Sequence, residues 1–101
     1  MVKIEARYLL MFTRYTNKMN EVIEIKKENP TVKDFVVELK NRYGQKIIDA
    51  LIDPKTDDVR YEPDVNGGKK AVRILLNGNM IWWMKGLDTE LKDGDVIQLF
   101  G

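Results

Sequence analysis

The sequence predicts an α+β domain in which one mixed β-sheet packs on a single main helix. Three observations lead to this prediction. Apolar residues alternate with polar ones near both ends of the chain, as in strands with one buried face. Between these ends, apolar residues recur at helical spacing after a threonine that suits a helix N-terminus. The 101 residues contain no repeat and no low-complexity linker, so one domain is expected over residues 1–101.

The N-terminal segment is predicted to be a β-hairpin. Apolar residues occupy every second position from Val2 to Leu10, which indicates a strand of about ten residues. Residues 13–18 are polar and turn-forming, and residues 21–27 alternate again. The two alternating runs are expected to pair antiparallel. Asn29-Pro30 ends the hairpin, because proline has no N–H to donate to a ladder.

The main helix is predicted to begin after Thr31 and to end near Gly44. Thr31 suits the N-cap position, and Asp34 supplies a weaker form of the capping box. An apolar stripe at helical spacing consists of Val32, Phe35, Val36, Leu39 and Tyr43. Gly44 fits the left-handed position just past the helix end. A second short helix or turn is expected over residues 45–52.

The remaining segments complete the predicted order of elements. Residues 53–70 are the most polar part of the chain and are predicted to be a surface loop, with Val59 and Tyr61 in at most a minor strand. After it come a strand ending in Asn77-Gly78, a short aromatic run, and a closing strand from Val96 to Phe100. This order matches the β-grasp, or ubiquitin-like, fold. In that fold the first and last strands lie parallel at the centre of the sheet.

The composition excludes several classes of protein. The chain has no cysteine and no histidine, so it lacks thiolate ligands, the usual general base and the commonest metal ligand. A free-standing enzyme is therefore not expected, and no cofactor or metal site is predicted. The net charge of +1 does not favour nucleic acid as a partner. No apolar run is long enough for a membrane span and no signal peptide is evident, so a cytoplasmic protein is expected.

Three segments resemble the MoaD/ThiS family of small ubiquitin-like sulfur carriers. Arg7–Arg14 (RYLLMFTR) is similar to the family's first strand, and Pro30–Gly44 is similar to its threonine-capped helix. Ala71–Gly101 contains an asparagine-glycine turn, a leucine-aspartate-threonine element and the sequence KDGD before the last strand, in the family's order. Only residues 53–70 have no counterpart.

The resemblance implies a sulfur carrier or ubiquitin-like modifier rather than an enzyme. In the family, an E1-like enzyme adenylates the C-terminal glycine carboxylate, which becomes a thiocarboxylate. The tail then enters a partner such as the large subunit of molybdopterin synthase. Gly101 is accordingly the candidate activated terminus, and an E1-like enzyme and a molybdopterin-synthase-like large subunit are the expected partners.

The end of the sequence departs from the family pattern. Family members continue past the last strand into a flexible tail ending in Gly-Gly, whereas this sequence stops at Phe100-Gly101. Gly101 therefore has a second interpretation, in which it simply ends the strand. The corresponding alternative function is a protein-binding module without carrier chemistry.

Strand alternation also predicts a partner-binding face on the side of the sheet away from the helix. Its members form an apolar patch with a basic edge, a feature that usually marks a docking surface: Arg7, Leu9, Arg73, Leu75 and Phe100. The alternative is that a loop, such as residues 53–70, covers this face.

Trp82 and Trp83 are secondary interface candidates. If they lie on a strand, their side chains face opposite ways, so one is expected to be buried and the other partly exposed. The alternative is that both rings cover the sheet edge.

Overall fold

The structure, a computed structural model, describes residues 1–101 and contains seven strands and three α-helices. In chain order these are β1 (Val2–Tyr8), α1 (Met11–Thr16), β2 (Asn20–Ile25), α2 (Val32–Tyr43), α3 (Gln45–Leu51), β3 (Ile52–Asp53), β4 (Asp58–Val59), β5 (Arg73–Leu76), β6 (Asn79–Met80) and β7 (Val96–Phe100). Two 3-10 turns, Ile81–Trp83 and Gly86–Asp88, lie between β6 and β7. None of the helices combines the length and apolar character that a membrane crossing requires.

Five strands form one mixed sheet in the order β2-β1-β7-β5-β6. The first and last strands, β1 and β7, are parallel neighbours with Tyr8 opposite Leu99, and the other pairs are antiparallel. This arrangement confirms the predicted α+β, β-grasp fold. The tight turn at Asn77-Gly78 is also confirmed, because both residues have positive φ angles, as a two-residue hairpin of this kind requires.

Helix α2 covers one face of the sheet and begins at the predicted cap. Thr31 Oγ1 accepts from the Asp34 N–H at 3.4 Å, and Asp34 Oδ2 accepts from the Thr31 N–H at 2.8 Å. Residues on the predicted helix stripe share one core with the inward-facing strand residues: Phe35, Val36, Leu39, Ile4, Ala6, Ile74, Ile97 and Leu99. Gly44 follows the helix with φ +88°, but its ψ of −173° is extended rather than left-handed helical.

The predicted turn over residues 13–18 is wrong, because a helix occupies most of it. β1 ends at Tyr8, and Leu10 has a φ of 55°, which turns the chain out of the strand. Helix α1 follows, with Phe12 and Thr16 buried on its inner side. Residues four apart share a helix face, so these two are buried on the same side of α1.

The prediction of a surface loop over residues 53–70 is wrong in part, whereas the minor strand is confirmed at Val59, although it does not include Tyr61. β3 and β4 pair as a separate two-stranded ribbon, in which Val59 is only 2% exposed, and the next residue, Arg60, is 5% exposed. One guanidinium nitrogen of Arg60 donates to the carbonyl oxygens of Asp49 and Ile52, both at 3.1 Å. The ribbon is thus anchored to the end of α3, while most of the remaining segment is exposed.

Candidate partner-binding surfaces and the C-terminal glycine

Register places the predicted partner-binding residues on the outer face of the sheet, opposite α2. Arg7 and Leu75 both lie beside Gln98, and Arg73 lies beside Phe100. Leu9 is one residue beyond β1, where its N–H donates to the Leu99 carbonyl at 3.0 Å. We call these five residues, Arg7, Leu9, Arg73, Leu75 and Phe100, the outer-face patch.

The two arginines of the outer-face patch are both engaged within the chain. Arg7 forms an ion pair with Glu5, two residues away on the same face. Arg73 donates to the carbonyl oxygens of Tyr61 at 3.1 Å and Val72 at 3.2 Å. Residues 53–70 therefore do approach this face, through Tyr61, but at the Arg73 edge. Leu9, Leu75 and Phe100 are partly buried, and the arginines are exposed.

Gly101 packs against helix α1. One oxygen of its main-chain carboxylate accepts from the Met11 N–H at 3.2 Å. A Cβ atom at this position would lie 2.5 Å from Met11 Cε and 2.8 Å from Phe12 Cε2. Phe12 is fully buried, so its ring has no room to move away. Glycine is thus required sterically at position 101 in this arrangement, and we call this contact the Gly101 seat.

The prediction that Trp82 and Trp83 lie on a strand is wrong, and so is the inference that one of them is buried. β6 ends at Met80, and a 3-10 turn directs Ile81 into the core instead. Trp82 is 55% exposed and Trp83 is 79% exposed. Trp82 nevertheless has a partner, because its ring lies edge-to-face with Tyr61 at a centroid distance of 4.6 Å.

A shallow pocket of about 290 Å³ lies between the β3–β4 ribbon and Trp82. Its charged and aromatic lining consists of Asp53, Asp58, Tyr61, Glu62 and Trp82, and we call it the Trp82 pocket. Burial, together with the nearby charge of Asp58, raises the pKa of the Tyr61 hydroxyl. Sequence reasoning missed this pocket. Its two aromatic residues are far apart in sequence, and only tertiary packing brings them together.

Glu21 forms the most connected polar cluster. Its carboxylate accepts hydrogen bonds from the hydroxyls of Tyr8, at 2.6 Å, and Tyr43. It also pairs with Lys18 at 3.3 Å and Arg42 at 3.2 Å. Burial alone would raise the pKa of Glu21, but the hydrogen bonds from Tyr43 and Tyr8 outweigh burial and lower it. The cluster joins β1, β2 and α2, so its role is structural.

No group of three or more acidic side chains is arranged to hold a metal ion. A capped helix lying across a five-stranded sheet with a parallel β1–β7 pair defines this chain as a β-grasp protein of the ubiquitin-like class. The model of the ThiS family matches residues 9–101, and the chain belongs to that family.

Solved structures share this fold. A Pyrococcus furiosus protein described as molybdopterin converting factor subunit 1 is 29% identical, with 99% of this chain and 97% of that chain covered and a TM-score of 0.72. Small archaeal modifier protein 1 from Haloferax volcanii is 13% identical, with coverages of 97% and 92% and a TM-score of 0.71. The Amycolatopsis orientalis BexX/CysO complex contains a chain 17% identical, with coverages of 96% and 92% and a TM-score of 0.71. The last two are similar in fold alone. No curated protein matches the sequence.

Proposed function

We propose that this chain is a sulfur carrier or ubiquitin-like modifier of the ThiS family that is activated at its C-terminal carboxylate. It acts as a protein substrate of an E1-like adenylating enzyme and supplies no catalytic residue of its own. The observation that carries this proposal is the family match, which extends through β7 to Gly101. The Pyrococcus furiosus neighbour favours a molybdopterin-synthase-like large subunit as the protein that receives the sulfur.

The proposed chemistry takes place at the carboxylate of residue 101 or of a tail beyond it. A carboxylate oxygen attacks the α-phosphorus of ATP, pyrophosphate leaves, and an acyl adenylate forms. A sulfide nucleophile then attacks the acyl carbon and displaces AMP, which leaves a thiocarboxylate. Because both steps occur inside another enzyme, the carrier must present an extended and unobstructed terminus.

The contacts of the Gly101 seat hold residue 101 against helix α1 and so oppose an extended, unobstructed terminus. Undocking residue 101 removes its hydrogen bond from Met11, a net loss of about 0.5–1.5 kcal/mol. Freeing more of the chain exposes Leu99, which is fully buried, and costs about a further 1.5–3 kcal/mol. Phe100 and Gly101 alone reach only about 7 Å when extended. We therefore expect the 101-residue chain to be a poor substrate for adenylation.

The test compares the 101-residue chain with a form extended by a short flexible tail ending in Gly-Gly. Each is incubated with an E1-like enzyme, ATP and sulfide, and intact mass then shows whether sulfur has replaced one carboxylate oxygen. The matched control carries a tail of equal length ending in Pro-Pro, which obstructs a narrow channel. Conversion of the Gly-Gly form alone is expected. Efficient conversion of the unextended chain would show that the Gly101 seat is no barrier.

A non-covalent binding module is the second candidate, and the outer-face patch favours it. Leu75 and Phe100 provide apolar contact area between two exposed arginines, without any need for a free terminus. If neither form in the preceding experiment is adenylated, while the chain still binds a molybdopterin-synthase-like large subunit, the binding module is the better description.

A further inference from the structure

The Trp82 pocket combines negative charge with an exposed aromatic wall, and neither the family match nor the proposed carrier chemistry accounts for it. We propose that the Trp82 pocket binds a lysine or arginine side chain presented by a basic segment of a partner protein. A cation held over an aromatic face is attracted by the ring quadrupole, and nearby carboxylates add charge complementarity.

The carboxylates of the pocket form no ion pair with a lysine or arginine of the chain. None of Asp53, Asp58 and Glu62 takes part in any of the ion pairs of the structure. One oxygen of Asp53 accepts from the Lys55 backbone N–H at 2.9 Å, and one oxygen of Asp58 accepts from the Val59 N–H at 2.7 Å. The second oxygen of each therefore remains free to bind a cation.

The pairing of β3 with β4 places like charges opposite each other. Asp53 and Asp58 are direct cross-strand partners in the two-residue ribbon, and both are partly buried. Like charges at such positions destabilise a strand pair. A bound cation would offset this repulsion, so the ribbon itself favours an occupied pocket.

The aromatic wall of the pocket suits an organic cation better than a metal ion. Trp82 is held edge-to-face by Tyr61 but stays 55% exposed, which leaves ring surface open to a ligand. The carboxylates do not converge in the manner of a metal site. Dispersed negative charge beside an indole matches an ammonium or guanidinium group on a side chain.

Several basic side chains of the chain border the pocket from outside. Lys33 and Lys85 line a neighbouring depression, which Asp58 also borders. Another depression, which Asp53 borders, is lined by Lys55, Arg60 and Lys69. Arg73 lies on the other side of Trp82, where backbone carbonyls hold its guanidinium. Since Arg73 also belongs to the outer-face patch, a partner seated on that patch is positioned to place a basic residue in the Trp82 pocket.

The experiment uses Trp82 as its own reporter. The chain has two tryptophans, so Trp83→Phe leaves Trp82 as the single one. This variant is titrated with a hexa-arginine peptide at low ionic strength, and Trp82 fluorescence is followed. A saturable change in Trp82 fluorescence is expected. The change should weaken as salt is added, and it should be absent with a hexa-glutamate peptide.

Calorimetric titration of further variants, each checked for native circular dichroism, locates the binding. Trp82→Ala is expected to weaken hexa-arginine binding about two- to fivefold, the fold-change of an exposed cation–π contact. Asp58→Asn combined with Glu62→Gln is expected to weaken it by a similar factor without altering the aromatic wall. Trp83→Ala is the matched control and is expected to bind as the wild type does.

Three outcomes would overturn the proposal. One is unchanged affinity in both the Trp82 and the Asp58/Glu62 variants. Another is equal weakening by Trp83→Ala, which would indicate general adhesion to exposed tryptophan. The last is peptide binding without any change in Trp82 fluorescence, which would place the peptide elsewhere. None of these measurements involves adenylation, so they are independent of the carrier proposal.

Discussion

The Gly101 seat and the Trp82 pocket differ in whether packing holds their functional groups against the chain or leaves them exposed. At the seat, a buried phenylalanine and a backbone hydrogen bond hold residue 101 against helix α1. At the pocket, a 3-10 turn leaves Trp82 exposed beside carboxylates that form no ion pair within the chain. Covalent chemistry at the terminus would therefore require local opening, whereas recognition at the pocket would require none.

Phe12→Ala is expected to lower the free energy of unfolding by about 3–5 kcal/mol, because it leaves a cavity behind the Gly101 seat. Trp83→Ala, the matched removal of an aromatic ring on the open side, is expected to change it by no more than about 0.5 kcal/mol. Denaturant titration measures both values. A near-neutral Phe12 variant would mean that the seat is not part of the core.

Phe100→Asp is expected to abolish capture of a molybdopterin-synthase-like large subunit in a pull-down while leaving the fold intact. Loss of an apolar anchor at an interface centre typically costs about 2 kcal/mol or more of binding free energy. The new carboxylate lies beside Arg73, which reduces its effect on folding. Val22→Asp, on the same face but outside the outer-face patch, serves as the control. Unfolding of the Phe100 variant would instead assign its side chain to the core.

Gly101→Ala is expected to lower the free energy of unfolding by at most about 0.5–1.5 kcal/mol, because the added methyl group overlaps Met11 and Phe12 and undocking of residue 101 relieves the overlap at the cost of its hydrogen bond. Met11→Ala removes the flexible part of the obstruction, so the double variant should lose less than the sum of the two single variants. Strict additivity in denaturant titrations would show that residue 101 does not occupy the seat in solution.

The Glu21 cluster predicts a pH dependence on the packed side of the molecule. The pKa of Glu21 is lowered by folding, so its contribution to stability is present above its unfolded pKa of about 4.3 and is lost as pH falls through the folded pKa. Glu21→Gln should therefore be less stable than the wild type at pH 7, and this difference should be smaller at pH 3. Glu28→Gln, at an exposed glutamate outside any ion pair, should show no such convergence. If the difference in stability between Glu21→Gln and the wild type were the same at pH 7 and at pH 3, the proposed coupling between Glu21 ionisation and folding would be contradicted.

Local patterns in the sequence were sufficient for the helix α2 and the central strands. The Thr31 cap, the apolar stripe through Leu39 and the alternation of Ile97 and Leu99 are patterns of neighbouring residues. Each can be recognised within a short stretch of the chain and indicates which side chains are buried. They also placed the residues of the outer-face patch on one side of the sheet, because strand alternation fixes the facing of every second residue. The partner role of that patch stays a prediction.

The errors arose where burial depends on a distant part of the chain. Helix α1 has only two buried residues, Phe12 and Thr16, which is too short a pattern to distinguish from a turn. Val59 enters the core from a segment that is otherwise polar, and Ile81 displaces the tryptophans outward. A single buried residue has no periodicity, so the sequence allowed a minor strand at Val59 without predicting its burial, and no local signal identified Ile81.

The sequence by itself determined the β-grasp fold, the ThiS family and the absence of cysteine and histidine chemistry, because these depend on composition, periodicity and the order of motifs. Only the tertiary structure decided that Gly101 is docked on α1, that both tryptophans are exposed, and that Tyr61 meets Trp82 beside three carboxylates. The physical reason is that a periodic pattern specifies which face of an element is buried. Which distant residues meet at the edges depends on how the elements pack together.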